Sequence, residues 1–148
     1  MIDSFLEAVS NSAIGIYIAE DPMAFPWIEV VHVLSLVTVF GSILLVDLRL
    51  MGLASRDYPV NALTRTILPI TWVAFIIAAM TGGLLFSSNP YGYWGNTAFK
   101  AKMVLLLLAG LNMAIFHLVT QRGGQMDRPG SLPAGARVAG VVSVTIWL

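Results

Sequence analysis

The chain contains no cysteine. Disulfides, thiolate zinc sites, iron–sulfur clusters and cysteine nucleophiles are therefore excluded. Charge is scarce as well. Asp, Glu, Lys and Arg make up 11% of 148 residues, against about 25% in an ordinary soluble domain. Formal net charge is zero, and the few cations form no basic stripe, which argues against nucleic acid as a partner. Histidine occurs only twice, at His32 and His117. No repeat, low-complexity tract or linker divides the sequence, and its length suits a single domain, 1–148. What fills it is apolar: 57% of residues are hydrophobic and mean hydropathy is +0.83. That balance argues against a soluble enzyme or a disordered tail, and for a small polytopic membrane protein with the lipid bilayer as its solvent.

A spanning helix needs about 20 mostly apolar residues. Three runs qualify, about 27–53, 68–86 and 98–120. A fourth, about 134–148, is too short to cross a bilayer and is expected to continue beyond Leu148. The fold expected is all-α: a transmembrane up-down four-helix bundle whose fourth span is truncated in this chain. An amphipathic segment precedes it. Ile2, Phe5, Leu6, Val9, Ala13 and Ile16 recur at helical spacing, with Asp3, Glu7 and Ser10 elsewhere. This predicts a short helix over about 2–19 lying in the membrane interface. The segment lacks the cationic start and continuous apolar core of a signal peptide. Asp21-Pro22 and Pro26 are expected to break the chain before the first span.

Cations set orientation. Arg49, Arg56 and Arg65 flank the first connection, and Arg122, Arg128 and Arg137 the third. The N-terminal segment carries Asp3, Glu7, Glu20 and Asp21 but no cation, and the connection 87–97 carries no charge. The first and third connections are therefore expected in the cytoplasm, and the N-terminus outside a bacterial inner membrane. Trp27, Tyr91, Tyr93 and Trp94 suit interfacial anchors.

Ionisable groups in a spanning helix are costly, so each is a functional candidate. The first span holds Glu29, His32, Asp47 and Arg49; the third holds Lys100, Lys102, Asn112 and His117. At a rise of about 1.5 Å per residue, His32, Thr81-Gly82 and Lys102 fall at similar depth, with Met80 and Met103 in the same layer. The two histidines then lie roughly 20 Å apart along the membrane normal, too far to share one ion within a chain. His32 is the leading candidate for an axial ligand to haem iron, because a helical bundle can hold a porphyrin between facing helices. Gly82-Gly83 would let a flat macrocycle approach the second span. Lys102 could pair with a propionate or serve as second axial ligand, and Met80 or Met103 are alternative axial ligands. His117 could ligate a second haem in the other leaflet, and a parallel homodimer could supply the missing ligands. The structural alternative for His32 is a hydrogen bond to Glu29 or to a neighbouring helix. Asp47 and Arg49, two residues apart, do not face each other and read as topology-setting charges. Ser35 and Ser42 lie on one stripe of small and polar residues, the kind that marks helix contact in membranes.

The motifs carry two resemblances. The run from Pro26 to His32, Phe40-Gly41-Ser42, the run from Asp47 to Gly52, the run from Thr81 to Phe86, Phe99-Lys100-Ala101-Lys102, Asn112 and His117 together resemble a family of small bacterial four-helix membrane proteins of unknown function. The match covers nearly the whole chain and implies fold and compartment without an activity. His32, Gly41, Arg49, Thr81-Gly82 and Lys102 are also similar to the pattern of the HemJ-type protoporphyrinogen oxidases. That resemblance implies haem b at His32, with Lys102 also important and Arg49 among the site residues. The acidic N-terminal segment and Asp47-Leu48-Arg49-Leu50 have no counterpart in that pattern. The CopD-type copper-resistance proteins show a similar first-span histidine and lysine-led span.

Three functions follow as expectations. The first is a haem b protein in transmembrane or quinone-linked electron transfer. The second is a non-catalytic accessory subunit packing its small-residue stripe against a larger membrane complex. The third is copper handling by His32, Met80 and Met103.

Overall fold

The computed structural model of the chain describes residues 1–53, 60–115 and 134–147. Among the described residues every regular element is a helix: α1 (Ile2–Ser10), α2 (Ala13–Glu20), α3 (Ala24–Leu50), α4 (Val60–Ser88), α5 (Pro90–Gly95), α6 (Thr97–Ile115) and α7 (Ala134–Trp147).

The single amphipathic helix expected over 2–19 is two helices. Ser12 breaks it. Its hydroxyl donates to the Val9 carbonyl at 2.7 Å and accepts from the Gly15 N–H at 3.1 Å, ending α1 and capping α2. The turn before α3 also differs from expectation. Asp21 Oδ1 accepts from the N–H groups of Met23 and Ala24, both at 2.8 Å, so the helix starts ahead of Pro26. Proline is tolerated there because the first turn's N–H groups have no partner within the helix. At the other end α3 stops at Leu50 rather than 53. Gly52 adopts φ +74°, Leu53 N–H reaches the Leu48 carbonyl at 2.9 Å, and Gly52 N–H reaches the Arg49 carbonyl at 3.0 Å. This paired closure needs a left-handed residue, which glycine adopts without a Cβ penalty. The connection after α4 holds an extra helix, α5, capped by Asn89, whose side chain accepts from Gly92 N–H at 3.0 Å. Asn96 caps α6 by accepting from the Ala98 N–H at 2.8 Å.

Among the described residues two helices are long and apolar enough to cross a membrane: Ala24–Leu50, and Arg65–Ser88 within α4. Only 11% and 17% of their most apolar stretches are buried, whereas the core helix of a soluble protein would be mostly covered. Leu34, Val37, Val73, Ile76, Leu107 and Leu111 all expose more than half their surface. Apolar side chains so exposed fit a lipid environment better than water.

The chain forms two compact units. The first comprises Met1–Thr38 and Val73–Ala101. Leu6 and Ile18 are buried in it, and Gly15 brings α2 so close to α4 that a Cβ would stand 2.6 Å from the Ser87 carbonyl oxygen. Phe86 stacks on Phe99 at 5.7 Å, Tyr93 tilts against both, and Lys100 Nζ lies 5.4 Å from the Trp94 ring centre. The second unit comprises Val39–Trp72 and Lys102–Leu148. In its described part Thr71 donates to Ser42 Oγ at 2.8 Å between α4 and α3, Asn112 donates to the Ala139 carbonyl at 3.1 Å between α6 and α7, and Phe40 meets Trp147 at 6.3 Å.

Candidate functional site

His32 sits on α3 in the first unit, half-buried. Its Nδ1 lies 3.0 Å from the Ala78 carbonyl oxygen and 3.0 Å from Thr81 Oγ1, both on α4. A carbonyl only accepts, so Nδ1 carries the hydrogen and donates. Thr81 fits this assignment: its hydroxyl donates to the Ile77 carbonyl at 2.7 Å and turns a lone pair toward His32. In the neutral ring the basic lone pair is then at Nε2. Ala78 itself is buried, which shields the carbonyl hydrogen bond from exchange with solvent.

Gly82 completes the seat. A Cβ at this position would lie 3.0 Å from His32 Cε1, 3.6 Å from Nδ1 and 3.8 Å from Nε2. The absent side chain of Gly82 is thus filled by the imidazole, which corrects the expectation that both glycines admit a macrocycle. Gly83 behaves differently: among the described residues no neighbouring heavy atom lies within 4 Å of its Cβ position. The Thr81-Gly82 pair therefore meets His32 as their matching depths suggested, and the bond to a neighbouring helix is present.

Met80 is 67% exposed on α4, roughly 200° around the helix from Ala78 at 3.6 residues per turn, and so turned from the His32 face. Lys102 is exposed on α6, in the second unit, and Met103 follows it there. Arg49 is half-buried near the end of α3, also in the second unit. His117 lies outside the described residues. Among the described residues, no three of His, Asp and Glu gather as a metal-binding group. Ser35 and Ser42 are buried within the chain, with Ser42 held by Thr71.

One residue differs from its sequence reading. Asp47 is not an interfacial charge open to water: it is 6% exposed, and Ser143 of α7 hydrogen-bonds to its carboxylate. The signal that could have found it is the buried series Ser35, Val39, Ser42, Asp47 and Leu50, which winds along α3 at three- to five-residue steps. Reading it requires knowing where α7 packs.

Residues 3–148 match a described family along essentially the whole chain. The chain belongs to the family of unknown function DUF6644. This agrees with the resemblance to small membrane proteins of unknown function. No curated protein and no solved structure matches the chain. For this DUF6644 member, the similarities to HemJ-type and CopD-type proteins therefore rest on short motifs alone.

Proposed function

We propose that this DUF6644 member is an integral membrane protein that binds haem b and carries electrons, with His32 as the residue that would hold the iron through Nε2. One observation carries the reading: Nδ1–H is fixed on the Ala78 carbonyl, 3.0 Å away, with Thr81 beside it. Histidines that ligate metals almost always donate the other ring N–H to a carbonyl or carboxylate, which sets tautomer, ring angle and basicity. The residues fit a haem in a second respect. Gly82 lets the ring lie against α4, its missing Cβ leaving room for Cε1.

Each residue has a defined task. Ala78 and Thr81 hold the proton on Nδ1 and orient the imidazole. Gly82 seats it. The exposed apolar side chains of α3 and α4 would keep water from Nε2 once lipid surrounds them. Bound haem would supply a one-electron couple, for which a membrane quinone is the partner in the apolar phase. The test is a reduced-minus-oxidised visible spectrum of detergent-purified protein with haem quantification. Sharp α and β bands at a fixed haem-to-chain ratio support the reading, and a colourless protein from haem-replete cells contradicts it.

The accessory-subunit reading loses its main support, because the serines of the small-residue stripe are buried inside the chain. Copper handling is weakened by Met80 lying on the exposed face of α4.

We further propose an up-down four-helix arrangement in the bacterial inner membrane, with the N-terminus outside. The support is the distribution of arginines about the connections. The natural lack of cysteine makes a clean check possible. Ser4→Cys should react with an impermeant maleimide in spheroplasts, and Arg137→Cys only after permeabilisation. The reverse pattern would invert the topology.

A further inference from the structure

The second unit contains a carboxylate that haem binding leaves unexplained. Asp47 is 6% exposed on a helix able to cross a membrane. Buried Ser143 hydrogen-bonds to its carboxylate, but buried Oδ2 has no hydrogen-bond partner among the described residues. The packing is tight. A Cβ on Gly140 of α7 would stand 3.1 Å from the Asp47 carbonyl oxygen, 3.3 Å from Leu50 Cβ and 3.3 Å from Met51 Cγ. Glycine at 140 thus draws α7 close over this stretch of α3, where an ionised carboxylate lacks the donors that water would offer.

Leaving a buried acceptor unpaired is costly, and a buried unpaired charge more so. Carboxylates retained inside membrane spans recur where protons or cations are handled. The charged groups of the described residues around it are few. On its own helix Arg49 is half-buried two positions away, which points it off the Asp47 face. On α7 the nearest described cation in sequence is Arg137, which is exposed; on α4, Arg65 is exposed. From α6, Asn112 donates to the Ala139 carbonyl.

We propose that Asp47, supported by Ser143, is a binding site for one small monovalent cation, a proton or Na⁺, taken up at Oδ2. The shared chemistry is neutralisation of a buried carboxylate by a cation small enough to enter between two closely packed helices. The site lies in the second unit and uses no residue of the His32 cluster, so it stands or falls independently of haem.

Infrared difference spectroscopy on the full chain reconstituted in lipid tests this. Films are perfused between low and high pH, and separately between choline and sodium buffers at fixed pH. If the ligand is a proton, a protonated-carboxyl C=O stretch appears and disappears with pH in the wild type and is missing in Asp47→Asn. If it is Na⁺, the carboxylate stretches shift on sodium addition in the wild type and not in Asp47→Asn. Wild-type and Asp47→Asn difference spectra that superimpose in both exchanges overturn the proposal. Should Asp47→Asn fail to insert, Ser143→Ala serves instead: loss of its hydrogen bond must move the responsive band, and an unmoved band overturns the assignment.

Discussion

His32→Ala is expected to insert into the membrane normally yet emerge without haem. The substitution removes the ligating nitrogen while leaving α3 with a better helix former. Haem retained per chain should fall at least about tenfold, equivalent to a loss of more than about 1.4 kcal/mol in binding. A histidine that only ties α3 to α4 would give a different result. Its loss would reduce stability without changing colour, because the bonds to Ala78 and Thr81 are structural whether or not iron is present. Adding free imidazole separates the cases. It should restore the haem spectrum of His32→Ala by replacing the missing ligand, and it has no means of restoring a helix contact. Unchanged haem in His32→Ala would end the assignment of this residue.

The second large effect concerns two adjacent glycines. Gly82→Leu places a side chain where the imidazole lies, starting from a Cβ only 3.0 Å from Cε1. The ring must leave its seat, so Nδ1 loses the Ala78 carbonyl and the fixed tautomer. Overpacking of this kind costs about 1–3 kcal/mol of stability. Haem content should fall with it, in parallel with His32→Ala. Gly83→Ala is the control: its Cβ meets nothing within 4 Å among the described residues, and stability should change by no more than about 1 kcal/mol. Thermal melts and haem-to-chain ratios of both variants, measured side by side in one detergent, check the contrast. Equal behaviour of the two glycine variants would refute the seating role of Gly82.

The long helices were readable from the sequence because length and apolarity alone define a candidate span. Their ends were less so, since each end depends on one cap. Gly52 closes α3 before the apolar run stops, and Asp21 opens it before the proline that looks like a breaker. The Ser12 break escapes periodicity because the apolar pattern continues through it, although serine is a favoured N-cap residue. Helix α5 shows the same ambiguity. Asn89-Pro90 reads equally as the end of one helix and as the cap and first residue of the next.

The site was legible in depth and not in facing. Counting residues brings His32 level with Thr81-Gly82, because rise per residue is nearly constant. It cannot say that Gly82 holds the ring while Gly83 has no such neighbour among the described residues, since that depends on helix rotation. Asp47 shows the limit most sharply. Two residues from Arg49 and near a helix end, it has the sequence profile of an interfacial charge. Its burial comes from Gly140 and Ser143, almost a hundred positions away in the chain.

The most direct measurement is pulsed electron paramagnetic resonance on the oxidised protein, prepared with heavy-nitrogen histidine as its sole isotopic label. Ligation by His32 predicts hyperfine coupling from labelled nitrogen to low-spin haem iron, present in the wild type and in His117→Ala and absent in His32→Ala. Haem-loaded protein without that coupling, in the wild type or in His117→Ala, would contradict iron ligation by His32.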